Sequence, residues 1–192
     1  MTHNYTFDVV GIGLSAGGLT PLLEIVTKLP ADFKGALVIL SHLPINNNSN
    51  LDQILAKKTD LKVIPVSTIE YVECGRIYVL SVGKEMVLKD GFLHVRERNP
   101  DDKINKTIDV FFESLAADAK ERSLGVILSG AGHDGIKGAK NIEDQNGLII
   151  VQDPETAAFP LMPSGLIAND HPDYILSPDD IAKKIISWLQ RS

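Results

Sequence analysis

VVGIGLSAGGLTPLLEIV, residues 9–26, predicts a buried strand, a tight glycine turn and a helix in direct succession. Other short, β-branched apolar runs alternate along the chain with amphipathic segments of helical length. Continuous apolar runs of this kind are typical of parallel strands that are buried on both faces. The chain therefore predicts βαβ units, with strands at residues 7–12, 36–40, 125–128 and 147–151 and helices at residues 18–29, 50–58, 107–121, 135–145 and 178–189.

One segment breaks this alternation. GRIYVLSVGKEMVLKDGFLHVRER, residues 75–98, contains three strand-like runs. The last two runs are joined at Asp90 and Gly91, and an Asp-Gly pair is a strong signal for a tight hairpin. We expect this hairpin to extend one edge of the sheet in the antiparallel direction.

The composition predicts one globular domain over residues 1–192. Of these residues 44% are hydrophobic and 23% charged, which suits a protein with a sizeable core. A net charge of -6 argues against a nucleic-acid partner, because binding to the phosphate backbone needs clustered Lys and Arg. The sequence shows no signal peptide, its apolar runs are shorter than the roughly 20 residues of a membrane span, and the single Cys74 cannot form an internal disulfide. We therefore expect a cytoplasmic protein without membrane insertion.

The glycine turn near the start has more than one interpretation. Gly11, Gly13 and Ala16 match the G-x-G-x-x-G/A spacing of a loop that approaches a dinucleotide pyrophosphate. Gly13, Ser15 and Gly17 equally match G-x-S-x-G, a turn that exposes a serine hydroxyl as a nucleophile. Ser15 also has a plain structural explanation, a small residue that fills a tight turn.

Polar residues follow three of the predicted parallel strands. Ser15 follows the first strand, His42 follows ALVILS, and Asp134 follows the strand in LGVILSGAGHDG. The carboxyl ends of parallel strands share the edge where open α/β sheets bind their ligands. Serine, histidine and aspartate together supply a nucleophile, a base and an orienting acid. Each also has a structural explanation, since His42 can cap its strand and Asp134 can be the N-cap of the next helix.

The end of the second strand favours hydroxyl chemistry over a dinucleotide. A dinucleotide site needs an acidic residue about 20 residues after the glycines to bind the ribose. The chain has Ser41 and His42 at the strand end, whereas Asp32 lies before the strand. No metal site is expected, because the Cys and His residues lack zinc-ligand spacing. His133, beside Asp134, is interpreted as a loop residue or a group that supports the site.

Five motifs follow one another along the chain: GIGLSAGGL, SHLP, NKTIDVFFESLA, GVILSGAGHDG and VQDPETAAFPLMPSGLIAND. In their order and approximate spacing they resemble the catalytic domain of the CheB-type protein-glutamate methylesterases of bacterial chemotaxis. The resemblance covers nearly the whole chain and is closest to the subgroup associated with CheR-type methyltransferases. It implies an α/β fold that is doubly wound, with a mostly parallel sheet and an antiparallel hairpin at one edge.

The resemblance also implies a role for each polar strand end. Ser15 is the expected nucleophile, His42 the general base and Asp134 the orienting acid of a Ser-His-Asp triad. The backbone amides of Ala16 and Ala131 are the expected oxyanion donors. The implied reaction is hydrolysis of methyl esters on glutamate side chains of methyl-accepting chemoreceptor helices, with glutamine deamidation as a related activity and no cofactor.

Several positions depart from the family pattern near the expected site. Leu14 stands where a small residue is common, and we expect its bulk to narrow the mouth beside Ser15. His133 replaces the usual asparagine or small polar residue, and Ser164 follows the Met162-Pro163 pair where the family often has arginine. Leu14, Met162 and His133 are therefore our candidate substrate-site residues.

These departures leave a second interpretation open. In it the chain is a catalytically weak or silent signalling module that binds a partner through the pocket or through polar segments at residues 45–50 and 98–107. Only a short segment precedes the first strand, so we expect no receiver domain in this chain. The expected partners are chemoreceptor helices and either a CheR-type methyltransferase or a separate response regulator.

Overall fold

The first predicted strand lies at the centre of the fold. The computed structural model describes residues 5–42, 50–98, 101 and 104–191. The two polar segments predicted for partner binding, residues 45–50 and 98–107, therefore lie partly outside the described residues.

The described elements follow the predicted alternation of strands and helices. The strands are β1 (Asp8–Leu14), β2 (Gly35–Ser41), β3 (Lys62–Val66), β4 (Ile69–Tyr71), β5 (Arg76–Leu80), β6 (Lys84–Lys89), β7 (Phe92–Glu97), β8 (Ser123–Ile127), β9 (Leu148–Gln152) and β10 (Tyr174–Leu176). The helices are α1 (Leu19–Val26), α2 (Leu51–Ala56), α3 (Thr107–Ala119), α4 (Ile136–Asp144), α5 (Leu161–Asn169) and α6 (Pro178–Leu189). None of these described helices has the length and apolar character that crossing a membrane requires.

β1 is the middle strand of a seven-stranded sheet with the order β10-β9-β8-β1-β2-β5-β3. Every pairing in this sheet is parallel. The chain builds outward from β1 to one edge and then returns to β8 on the other side of β1. The prediction of a doubly wound, mostly parallel sheet is confirmed. The reversal of strand order beside β1 is where sheets of this kind open a crevice for a ligand.

Apolar layers cover both faces of the sheet. α1, α2 and α6 pack on one face, where Leu22, Leu55 and Ile185 are fully buried. α3, α4 and α5 pack on the other face, where Phe112 and Ile142 are fully buried. Burial of each such side chain stabilises the fold by about 1.5–3 kcal/mol. The two layers therefore hold the strand ends, and the residues that follow them, in fixed positions.

Gly11 and Gly13 are points of close contact between β1 and α3. A Cβ atom at Gly11 would lie 2.9 Å from the Phe112 ring, and one at Gly13 would lie 2.7 Å from Ile108. Both distances are shorter than van der Waals contact, so the glycines allow α3 to pack directly on the strand. They lie inside β1 rather than in the turn that follows it. The spacing that matched a dinucleotide loop is thus explained by helix packing.

The Asp90-Gly91 hairpin forms but belongs to a separate sheet. β6 and β7 pair in the antiparallel direction across a turn in which Asp90 and Gly91 have positive φ angles of 50° and 79°. β7 also pairs with β4, which gives a three-stranded sheet with the order β4-β7-β6. β5 instead joins the parallel sheet between β2 and β3, so both of its edges are occupied. The hairpin therefore packs on the α3 side through Met86, Leu88 and Leu93 and does not extend the parallel sheet.

Candidate active site

The carboxyl ends of β1, β2 and β8 bring the predicted polar residues to one edge of the sheet. The last residues of β1 and β2 lie opposite each other, so Ser15 and His42 follow side by side on neighbouring strands. The His42 N–H donates to the Leu14 carbonyl at 3.1 Å. The Ser15 N–H donates to the Ser129 carbonyl, just beyond β8, at 3.0 Å. Ser15 therefore lies between the strand that carries His42 and the loop that leads to Asp134.

His42 and Asp134 are in contact and shielded from solvent. The His42 Nε2 atom lies 2.7 Å from Asp134 Oδ2, and only 12% and 4% of the two side chains are exposed. Within the described residues Nε2 has no acceptor in hydrogen-bond alignment, so the two groups touch without a well-directed bond. Catalytic hydrogen bonds are often misaligned before substrate binds. Because Nε2 faces the acid, Nδ1 is the ring nitrogen that remains for another partner.

Asp134 is fixed by the first amides of α3. Its Oδ2 accepts from the Ile108 N–H at 2.8 Å, and its Oδ1 accepts from the Asp109 N–H at 2.9 Å. Unpaired amides and the helix dipole make a helix N-terminus favourable for a carboxylate. The N-cap of the next helix, α4, is Gly135, so the N-cap explanation of Asp134 is wrong for that helix. The carboxylate instead joins α3 to His42.

Asp109 is a second acid beside Asp134, and the sequence did not single it out. Its Oδ1 accepts from the Gly135 N–H at 3.0 Å and from the Gly138 N–H at 2.8 Å. Burial raises the pKa of the Asp109 carboxyl, the Gly138 amide lowers it in part, and the charge of Asp134 raises it further. The one available signal was its place in NKTIDVFFESLA, and an acid in a first helical turn is ordinarily explained by the helix dipole.

The carbonyls of Ser15 and Gly130 each accept a hydrogen bond from a backbone amide. The Ser15 carbonyl accepts from the Gly18 N–H at 3.0 Å, and the Gly130 carbonyl accepts from the second amide of α5 at 3.0 Å. The C=O and N–H of a trans peptide point in opposite directions. The amides of Ala16 and Ala131, our expected oxyanion donors, therefore point away from these partners. Within the described residues neither amide has a backbone acceptor.

A cavity of about 520 Å³ opens beside His42 and Asp134. Its wall includes Lys106 and the exposed residues Ala131 and His133, so the sequence candidate His133 faces a space that a substrate can enter. Among the described residues, no cluster of three or more His, Cys, Asp or Glu side chains is arranged to hold a metal ion.

Leu14 and Met162 are buried. Leu14 is 1% exposed and packs in the apolar layer on the α1 side, directly below Gly18. Met162 is also 1% exposed, and its sulfur packs against Gly130, which also contacts the Ser15 Cβ. The structure thus places Leu14 in the core and not at the mouth, because β1 directs this side chain toward α1. Met162 lies in the layer beneath the serine.

Comparison with protein families decides which family this fold and site represent. The family model described as CheB methylesterase matches residues 10–185, which is most of the chain. The chain belongs to the CheB methylesterase family. The resemblance drawn from the five sequence motifs is therefore confirmed.

Relatives from several bacteria agree with membership of the CheB family. A putative protein-glutamate methylesterase/protein-glutamine glutaminase of Leptospira interrogans is 32% identical over 187 residues, and the match covers 97% of both chains. A protein-glutamate methylesterase/protein-glutamine glutaminase of Desulfitobacterium hafniense is 28% identical, and the match covers 97% of this chain and 49% of the relative. The crystal structure of the Thermotoga maritima CheB methylesterase catalytic domain is 27% identical, with a TM-score of 0.90 over 96% of this chain and 100% of that one.

Proposed function

We propose that this CheB-family chain is a serine hydrolase that removes methyl esters from glutamate side chains of chemoreceptors. The observation that carries the proposal is the contact of His42 with Asp134 beside the Ser15 turn. A shielded acid that faces an imidazole near a serine supports this proposal, because a base oriented in this way can activate a hydroxyl as a nucleophile. The names of the relatives support glutamine deamidation as a related reaction.

In the first step the Ser15 hydroxyl attacks the carbonyl carbon of the ester. His42 accepts the hydroxyl proton at Nδ1, because its Nε2 faces Asp134. Asp134 orients the ring and stabilises the imidazolium that forms. The α3 amides that bind the Asp134 carboxylate hold this acid in place.

The negative charge that develops on the carbonyl oxygen is bound by backbone amides in this mechanism. The Ala16 N–H directly follows the nucleophile, and the Ala131 N–H lies on the neighbouring loop. Both peptide units are held from the opposite side by their bound carbonyls, so the donors need little reorganisation during the reaction. Each donor of this type contributes about 10²- to 10³-fold to the rate.

The tetrahedral intermediate then collapses to an acyl-enzyme. The proton on His42 passes to the methoxy oxygen as the C–O bond breaks, so that methanol leaves. A water molecule next gives a proton to His42 and attacks the acyl carbonyl. The proton returns to the Ser15 oxygen as the glutamate carboxylic acid is released.

The proposed substrate is a methylated glutamate on a chemoreceptor helix. Phe159 is 46% exposed and packs against Gly17 in the nucleophile turn, which gives the mouth an apolar side. His133 supplies a polar group on the cavity side. The proposed further partner is a CheR-type methyltransferase or a separate response regulator. The proposed location is the cytoplasm. Residues 1–192 are proposed to form one catalytic domain.

Replacement of the serine tests this function. We expect Ser15→Ala to reduce methanol release from a methylated receptor by about 10³-fold or more, because triad members act as a unit. His42→Ala should cause a similar loss. A serine-directed phosphonate should label the wild-type protein and fail to label Ser15→Ala.

The control for this experiment is Ser187→Ala, at an exposed serine of α6, which should release methanol at the wild-type rate. Full activity of Ser15→Ala would disprove the mechanism. A wild-type protein that binds receptor tightly, resists the phosphonate and releases no methanol would instead be the silent module.

A further inference from the structure

Asp109 and Asp134 form a reciprocal set of hydrogen bonds between the starts of α3 and α4. The Asp134 carboxylate accepts the Ile108 and Asp109 amides at the start of α3. The Asp109 carboxylate accepts the Gly135 and Gly138 amides at the start of α4. Asp109, in the first turn of α3, therefore binds amides at the start of α4. Asp134, which precedes α4, binds amides at the start of α3.

This exchange fixes Asp134 at two points. Its carboxylate is bound by α3, and the amide directly after it, that of Gly135, is bound by Asp109 Oδ1 at 3.0 Å. Gly135 has a φ of 101°, a conformation that side chains rarely adopt, so the turn after Asp134 requires glycine at this position. Gly138 packs closely on the backbone of Asp109, since a Cβ atom at that glycine would lie 3.0 Å from the Asp109 carbonyl oxygen.

We propose that Asp109 is a positioning residue of the esterase site, which holds Asp134 and, through it, the His42 ring. The inference rests on the proposed function for its kinetic consequences. Asp109 acts through its hydrogen bonds to the Gly135 and Gly138 amides, in the backbone after Asp134. A small displacement of a catalytic group is enough to reduce the rate, because a misplacement of about 1 Å can cost about 10²-fold.

The two bonds end on a single oxygen, which makes a conservative variant possible. Asp109→Asn keeps an Oδ1 acceptor for both amides, whereas Asp109→Ala removes it. We expect Asp109→Ala to lower kcat by about 10- to 100-fold while KM changes by less than about twofold. Asp109→Asn should recover most of the lost kcat.

Asp118 on the same helix supplies a matched control. Its carboxylate also accepts two backbone amides, from Asp90 at 2.7 Å and Gly91 at 3.1 Å, and it receives the Tyr5 hydroxyl. The two amides belong to the turn between β6 and β7, and Tyr5 precedes β1, so none of these partners belongs to the strand ends that carry His42 and Asp134. Asp118→Ala should therefore lower thermal stability without lowering kcat by more than about twofold, which separates positioning from a general loss of stability.

Kinetics and NMR together distinguish failure of this proposal from failure of the proposed function. If the wild-type protein shows no Ser15-dependent hydrolysis, the function fails, and the His42 ring resonances then report on positioning directly. We expect these resonances to move in Asp109→Ala and to stay near their wild-type positions in Asp109→Asn and Asp118→Ala. Asp109→Glu, which displaces the acceptor by one methylene, replaces the alanine variant if that one does not fold.

The outcomes that overturn the proposal are specific. Wild-type kcat and unmoved His42 resonances in folded Asp109→Ala would show that Asp109 does not position the site. An equal loss of kcat in Asp118→Ala would assign the effect to stability alone. An Asp109→Asn variant as slow as Asp109→Ala would rule out the acceptor oxygen as the cause.

Discussion

Ser129 is a fully buried serine that joins the Ser15 turn to the segment before α5. Its hydroxyl donates to the Ala16 carbonyl at 2.9 Å and accepts from the Phe159 N–H at 3.0 Å. Its own N–H donates to the Gln152 side-chain oxygen at 2.8 Å. A buried polar network with satisfied members fixes the backbone that it connects. Ser129 therefore supports the nucleophile turn from inside the fold.

Removal of this hydroxyl should destabilise the protein. We expect Ser129→Ala to lower the free energy of unfolding by about 1–3 kcal/mol, because a carbonyl and an amide lose their buried partner. Urea denaturation measures this difference. Ser187→Ala, which removes an exposed hydroxyl bonded to the Lys184 carbonyl, should stay within about 0.5 kcal/mol of the wild type. Equal stability of the two variants would show that the Ser129 network contributes nothing.

Individual residues differ in how far the sequence reveals them. Ser15, His42 and Asp134 were predictable as neighbours, because Ser15 and His42 directly follow strands of one parallel sheet and Asp134 lies on the loop after a third. Their catalytic roles stay predictions until the variants are measured. Asp109 and Ser129 were not predictable, because they bind backbone amides and carbonyls of distant segments. Such partners leave no spacing pattern in the chain.

The strand β7 has one buried and one exposed face. Leu93 is fully buried in the layer around α3, whereas its neighbour Phe92 is 40% exposed and faces Tyr71 on β4 with a ring separation of 5.0 Å. Successive side chains of a strand point to opposite faces. Leu93 therefore attaches β7 to the rest of the molecule, together with Met86 and Leu88 of β6.

Truncation of Leu93 and of Phe92 to alanine should have unequal effects on the free energy of unfolding. We expect Leu93→Ala to lower the free energy of unfolding by about 2–5 kcal/mol, since it leaves a cavity in the core. Phe92→Ala removes only an exposed aromatic contact and should lower the free energy of unfolding by about 1 kcal/mol. Chemical denaturation of both variants gives the comparison. Equal losses would mean that the alternation in β7 does not decide how the sheet is held.

The sequence predicted some elements well and missed others for physical reasons. The hairpin turn followed from Asp90 and Gly91, but its placement depends on β3, which covers the free edge of β5. α5 was not predicted, because Pro163 and Gly165 within a nine-residue segment disfavour a helix. Proline is tolerated in the first turn, where it removes no helical hydrogen bond.

At the scale of the whole molecule, the protein carries an excess of negative charge, and several of its acidic side chains have a raised pKa. The net charge is -6, and burial is the largest cause that raises the pKa of Asp8, Asp109 and Glu143. A raised pKa in the folded state means that the native protein binds these protons more strongly than the unfolded chain. The free energy of unfolding should therefore decrease as pH rises through the range between the unfolded and folded pKa values.

Glu143 gives this pH dependence its clearest test. Burial, a hydrogen bond with the Asp170 carboxyl and the charges of Asp170 and Asp173 raise the pKa of Glu143 to about 7, from an ordinary value of 4.5. We expect Glu143→Gln to be more stable than the wild type at about pH 8 and to lose this advantage toward about pH 4.5, where both side chains are neutral. Solvent screening limits the size of the effect, because the side chain is only half-buried. Urea denaturation across this range measures it, with Glu24→Gln as the control for loss of an exposed carboxylate. Parallel stability curves for Glu143→Gln and the wild type would show that Glu143 does not contribute to the pH dependence of folding.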